Sequence, residues 1–521
     1  MIPKTRLLVT AAVCCATLAL GACGGGGGRG ADPSSGASGE PVAGGEGRIL
    51  TLSDPRSLDP AALGNAFATT AVVGNALYGT LMTDPAGKIQ YSMAESFQTA
   101  DAGATFELKL RPGLMFSDGT PLGAEAVKFN WDRLRNPATA AISRSEASMI
   151  ASSETVDDTT LKITMVAPVP KYAQAVLTSS MNWIASPTAL RKGAAAFDAD
   201  PIGAGPFTLK SWTRQAAMEL VKNPRYWDAP KPHLDRLTLR AALDSGQRYN
   251  TVLTGGADVA VESSWVNLDK AEQAGLPTNL IPTSGGIFMA LNTRRAPFDD
   301  IRARQALAAA IDIDAFNQAV YSGTSEPVNT LFSKSSPYYS DTPLATTDRA
   351  RAQRLLDELA ADGKPLSFVF SSVPTTDGKA IAENIQAQLS SFTNVSVKIK
   401  LIEVTELAAL RTTHDFDVIV SSAFFQDPEP RLWTTFHGSS AANLSGLDDP
   451  ALDESLATAR TATSDLERKA AYETLQERLA ELTPVVFLAQ AAPSAVSSKN
   501  VGGLVQYGLG SLLPEELWIQ H

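Results

Sequence analysis

Cys23 is the last cysteine in a chain of 521 residues. Everything after it must hold its shape without a disulfide and without a cysteine-built metal site, so stability has to come from packed apolar surface. A chain of this length exceeds what one hydrophobic core normally supports, and two or more lobes are expected. A content of 44% hydrophobic and 19% charged residues meets that demand and excludes a disordered chain.

A short basic start, Lys4 and Arg6, precedes the apolar run LLVTAAVCCATLAL at residues 7–20. The run falls short of the roughly 20 residues that a bilayer-spanning helix needs. Its pattern is that of a secretory signal peptide over residues 1–22. Leu20, Gly21, Ala22 and Cys23 resemble the lipobox of bacterial lipoproteins, which implies lipidation of Cys23. An otherwise unpaired thiol in an exported chain, followed at once by glycines, agrees with that role. Residues 23–47 are then the lipidated cysteine and a flexible Gly-rich tether, with a reach of roughly 25 to 30 Å by coil statistics. The expected location is the extracytoplasmic face of the cytoplasmic membrane, held there by lipid. Residues 1–22 carry Lys4, Arg6 and no acidic group, so their loss takes the formal net charge from -11 to -13. Such an acidic chain is a poor match for nucleic acid.

The ordered part begins with an alternating strand at Ile49 and Thr51, followed by the turns Asp54-Pro55 and Asp59-Pro60. Val73, Leu77 and Leu81 recur at helical spacing. In TFELKLRPGLMFSDGTPL, Phe106, Leu108 and Leu110 alternate as a strand, and Pro112-Gly113 reads as the turn of a hairpin with a second short strand. Val127, Trp131 and Leu134 mark an amphipathic helix ending at Asn136-Pro137. Gly203 and Gly205 permit a tight backbone before a strand at Phe207, Leu209 and Ser211. Asp299 or Asp300, and then Asp312 or Asp314, are placed to cap two consecutive helices.

SLDPA, LYGTLM, MAESF, FELKLRPGLMFSDGTPLGAEAVKFNWDRL, IGAGPFTLKSW, VKNPRYWDAPKPHLDRLTLR and ALNTRRAPFDDIRARQALAAAID follow one another along the chain. In that order they resemble the signatures of the family 5 extracellular solute-binding proteins, which include dipeptide-, oligopeptide- and nickel-binding components of ABC importers. The resemblance implies an α/β, two-lobed periplasmic-binding-protein-like fold of type II, with an extra subdomain and a hinge between the lobes. It divides the chain into lobe I at 48–85, 201–286 and 490–521, the extra subdomain at 86–200 and lobe II at 287–489. It also implies a monomer that hands its solute to a membrane permease and, through it, to a cytoplasmic ATPase.

No catalytic residues are expected. A G-x-S-x-G elbow is missing, and His233, His414, His437 and His521 stand in no metal-ligand spacing. There is also no phosphate-binding glycine loop of the G-x-x-x-x-G-K-[ST] type, so no nucleotide, metal or other cofactor is implied.

Ligand-binding candidates are Asn65 and Phe67 in the first loop, Trp183, Phe288 near the crossover between lobes, and the stretch SSAFFQDPEPRLW with Phe424, Phe425, Gln426, Asp427 and Trp433. That stretch follows an alternating strand at Phe416, Val418 and Val420, and ligand crevices of open α/β sheets lie at such strand ends. Peptide-binding relatives hold an aspartate three residues before the acidic-proline turn, where it pairs with the ligand ammonium. Counted back from Asp427-Pro428, that position here is Phe424. The substitution leaves open a peptide binder of unusual kind, a binder of another amphiphilic solute such as a glycoside or metal chelate, and an envelope sensor or scaffold.

Overall fold

The computed structural model describes residues 36–65, 70–85 and 87–520, with five side chains of helix Val404–Thr413 left out. The signal segment, Cys23 and Phe67 lie outside the described residues. Residues 36–45 do not behave as free tether: the Ala37 amide donates to Val501 O and the Gly44 amide to His233 O, both within 2.9 Å. The strand that follows begins at Glu46. Backbone pairing thus fastens the expected tether to the body from Ala37 onward.

The first lobe is a seven-stranded sheet in the order Thr278–Leu280, Ser494–Ser497, Val259–Glu262, Glu46–Thr51, Arg236–Ala241, Ala217–Lys222 and Phe207–Thr213. Side chains of a strand alternate between faces. Ile49, Leu239 and Val261 accordingly join one core with Leu77 and Trp183, while Leu50, Ala260 and Val496 join another with Val252 and Leu268. A separate four-stranded antiparallel sheet, Ala94–Gln98, Thr105–Leu110, Thr160–Met165 and Ile150–Thr155, packs on helix Ala124–Arg135. Trp131 of that helix is wholly buried, and its indole donates to Met181 O.

Two expectations need correcting. Thr105–Leu110 pairs with the strands at 94–98 and 160–165, not with the segment after Pro112-Gly113, which closes on itself through a Met115–Pro121 bridge. Leu81 lies beyond helix Ala71–Tyr78, because Gly79 leaves the helix at φ 66. Of the alternative caps, Asp300 and Asp312 serve helices Ile301–Ala310 and Ile313–Tyr321.

The second lobe has a five-stranded sheet in the order Val395–Leu401, Leu366–Ser372, Val418–Phe425, Ser284–Leu291 and Val485–Ala489. Met289, Val418 and Val486 face helices Ile301–Ala310, Arg349–Ala361 and Thr376–Leu389; Phe288, Ile419 and Phe487 face helices Pro450–Thr461 and Asp465–Leu482. The chain enters this lobe between Leu280 and Ser284 and leaves it between Ala489 and Ser494. The Ile281 amide donates to Pro493 O at 2.9 Å, which ties the two crossing segments together. The described residues form a two-lobed α/β protein.

The turn after the middle strand is held from within the lobe. Asp427 accepts from the Glu429 amide at 3.0 Å, and Glu429 accepts from Arg460 Nε at 2.7 Å. The Arg460 guanidinium stacks 3.7 Å from the Trp433 ring centroid, and Trp433 stacks on His437. Burial pushes the Glu429 carboxyl up to about 7, even with Arg460 beside it.

Two outcomes follow from this packing. Gly285 sits opposite Phe424 at φ 67, and a Cβ there would lie 2.0 Å from Ala423 O. Replacing Gly285 with alanine should therefore lower the unfolding free energy in urea by about 2 kcal/mol or more; an unchanged midpoint would show that the paired strands yield freely. For Glu429, the folded value lies above the unfolded 4.5, so its stabilising contribution is complete below pH 4.5 and is lost as pH rises to 7. Glu429→Gln should flatten the pH dependence of the unfolding free energy across that window by roughly 3 kcal/mol, and parallel wild-type and variant curves would contradict the assignment.

Candidate functional site

The middle strand, Val418–Phe425, pairs with Leu366–Ser372 only at Phe370–Val418 and Ser371–Ile419. Beyond Ile419 the two parallel strands separate. From Ser372 the chain runs through helix Thr376–Leu389 to the outer strand Val395–Leu401, while from Phe425 it runs to helices on the opposite face and to strand Val485–Ala489. Connections that diverge in this way leave a crevice at the carboxyl ends of the strands, the usual place for a ligand in an open α/β sheet.

A cavity of about 330 Å³ occupies the crevice, within the range of roughly 300 to 1,000 Å³ typical of small-molecule sites. The second lobe contributes Ser371, Ser372, Thr375, Asp377, Ile402, Ser422 and Phe424 to its walls. Ser263 and Trp265 come from the first lobe, and Ala491 and Ala492 from the returning crossover. Apolar walls with a few hydroxyls and one carboxylate suit a small amphiphilic molecule. Trp265 begins helix Trp265–Gln273, which Ser264 caps, and its indole donates to Gln490 O at 2.8 Å. That bond fixes the ring against the crossover.

Strand alternation separates Phe424 from Phe425. Phe424 is 8% exposed and forms part of the crevice wall. Phe425 turns to the other face, edge-on to Phe332 at 5.5 Å. It also borders a second cavity, of about 230 Å³, with Gln426, Asp427 and Glu429 of the second lobe, Asn65 of the first lobe, and Ser143 and Glu146. The structure therefore brings Asn65 to Phe425, Gln426 and Asp427, and leaves Phe424 in a different chamber. Asn65 is saturated by protein there: its amide donates to Leu177 O and its oxygen accepts from Ser511 Oγ, each at 2.7 Å.

Three candidates stand elsewhere. Trp183 is wholly buried in the first-lobe core, with its indole donating to Asn75 Oδ1 at 2.9 Å and its ring flush with Gly74. Phe288 is packed edge-on to Phe487 and borders a third cavity, of about 490 Å³, inside the second lobe with His414, Ser421 and Arg431. Trp433 borders none of the three cavities, since its ring is sandwiched by Arg460 and His437. Trp265 and Asp377 were not among the sequence candidates. Trp265 follows the buried strand Val259–Glu262 and a Ser264 cap, a strand-end position of the same kind as Phe424.

Among the described residues no group of three or more His, Cys, Asp or Glu side chains is arranged for a metal ion. No described helix is long and apolar enough to cross a membrane.

Comparison with known proteins agrees with this architecture. Residues 88–443 match the family model for bacterial extracellular solute-binding proteins, family 5 Middle. The glutathione-binding protein GsiB of Pectobacterium atrosepticum is 26% identical over 470 residues, covering 86% of this chain and 89% of that protein. The Shigella flexneri GsiB is 28% identical over 348 residues, 66% of this chain and 67% of its own. Among solved structures, the binding protein AgaA from A. tumefaciens in complex with agropinic acid superposes with a TM-score of 0.81 at 24% identity, covering 92% of this chain and 99% of that one. The ABC transporter-associated protein DppA from Helicobacter pylori, in complex with the peptide STSA, gives 0.81 at 22% identity over 92% of this chain and 99% of its own. The chain belongs to the bacterial extracellular solute-binding proteins of family 5.

Proposed function

We propose that the crevice between Trp265 and Phe424 captures a short peptide or peptide-like amphiphilic solute, which the protein then delivers to a membrane permease. The observation that carries this reading is the 330 Å³ cavity at the parting of the two parallel strands, walled by both lobes and left unfilled by side chains. An open chamber of that kind supports capture over a scaffold role. Relatives named for glutathione, and a solved neighbour holding the peptide STSA, support the solute class. Closure of the lobes about the crossovers at residues 281–283 and 490–493 is the step by which a permease distinguishes the loaded protein. The division into lobe I at 48–85, 201–286 and 490–521, a subdomain at 86–200 and lobe II at 287–489 is supported by the three large sheets except at residues 284–286, which begin a strand of the second-lobe sheet.

The protein acts as a monomeric binding component without catalysis of its own. Its signal peptide at 1–22 directs export and is then removed, and the lipidated Cys23 holds it at the outer face of the cytoplasmic membrane, a reading that rests on the basic, apolar and lipobox-like order of those residues. Cys23→Ser should move the protein expressed in a bacterial host from the detergent phase to the aqueous phase in a cloud-point partition. Equal partition of variant and wild type would contradict the anchor.

Gentle purification followed by native mass spectrometry should reveal a bound small molecule, and calorimetry with that molecule then tests the walls. Phe424→Ala and Trp265→Ala should each weaken binding about tenfold or more while far-ultraviolet dichroism stays native. Trp433→Ala should lower the unfolding midpoint and leave affinity unchanged, because it frees Arg460 without touching the crevice. Wild-type affinity in both crevice variants would remove this chamber from the binding site.

A further inference from the structure

Among the described residues the crevice has a single charged side chain. Of the described residues around the 330 Å³ cavity, Asp377 alone bears a formal charge. It lies in the first turn of helix Thr376–Leu389, and its carboxylate makes no hydrogen bond or ion pair among the described residues. The backbone around it is fixed without its help: Thr375 Oγ1 accepts from the Gly378 amide at 3.1 Å, and Ser372 Oγ donates to Gly378 O at 2.7 Å. The backbone that carries the carboxylate is thus held in place, and the carboxylate itself is left available to a guest.

The charged groups that act on Asp377 from the facing lobe are Arg248 and Asp244. Arg248 is fully engaged elsewhere. It donates to Glu262 Oε1 at 2.8 Å and to the carbonyls of Val261, Ala242 and Leu243, with its side chain only 1% exposed. Partial desolvation raises the Asp377 carboxyl above its usual range, with Arg248 opposing the shift, while the side chain keeps access to solvent at the crevice wall. An anionic solute would meet this carboxylate with no cation among the crevice residues to offset it. The partial positive charge of a helix start, about half a unit, is smaller than the carboxylate's full charge, and Thr375 already occupies one of its amides.

We propose that Asp377 is the charge anchor of the crevice, receiving the ammonium group of a short solute whose apolar part lies on Phe424 and Trp265. The solute class is therefore cationic and amphiphilic, such as a short peptide with a free amino group. The carboxylate missing at position 424 is supplied from the opposite wall, by a helix start rather than a strand end. This rests on the reading that the crevice is the solute site.

Two probes that differ in one charge test it by calorimetry: leucyl-leucine amide, a cation, and N-acetyl-leucyl-leucine amide, which is neutral. Wild-type protein should bind the cation about tenfold or more tightly. Asp377→Asn should bring the two probes to equal affinity by weakening the cation alone, and Asp377→Glu should recover part of the preference. Equal binding of both probes by wild-type protein, or a charge preference that survives Asp377→Asn, overturns the anchor while leaving the crevice as the site. Binding of neither probe at millimolar concentration overturns the peptide-like reading of the crevice and the anchor with it.

Discussion

The separation of two parallel strands after only two pairs of registered neighbours governs the rest of the molecule. Phe370–Val418 and Ser371–Ile419 are paired, and beyond them Val420 to Phe425 lose their partner on that side. The opposite edge of the middle strand stays in full register with Ser284–Leu291, so the strand remains straight and rigid while one flank opens. Helix Thr376–Leu389 begins on the near wall, and the first lobe presents Ser263 and Trp265 to the mouth. A ligand chamber on rigid elements, bridged by two short crossovers, is what a binding protein needs in order to close without rebuilding its core.

The polar groups around this opening divide into those that hold the protein and those that face the chamber. Glu429 and Arg460 form a buried pair that secures the turn after the middle strand, and Arg248 with Glu262 does the same beneath the first-lobe wall. Arg248 and Glu262 are spent on each other and on nearby backbone, and Arg460 on Glu429 and the Trp433 ring. Asp377 differs because the loop that carries it is fixed by Thr375 and Ser372. Acidic residues close in sequence to a site can thus be structural, while the chemically available carboxylate comes from a distant segment.

Much of the fold was legible because short-range patterns and long family-like blocks agree. The strand at Phe207, the helix around Trp131 and the caps at Asp300 and Asp312 all stand where local periodicity and capping chemistry put them. The strand end at Phe424 was legible for the same reason. What remained hidden depends on partners far along the chain. Thr105–Leu110 found its neighbours in two other strands, and Trp183 found Asn75 and Gly74, so a local aromatic signal turned out to be core packing. Trp433 carries no mark in the sequence of its stacking between Arg460 and His437. Trp265 reaches the crevice only because the lobes face each other, and Asp377 because its helix follows the strand that parts from the middle one; no local pattern encodes either.

The central claim is that solute sits at the parting of these strands, in contact with both lobes. The most direct test is a crystal structure of the gently purified protein with its co-purified solute retained. The account requires ligand density between Phe424 and Trp265, with its polar end toward Asp377. Density confined to the recess beside Phe288 and Arg431, or to the chamber beside Asn65 and Asp427, would contradict it.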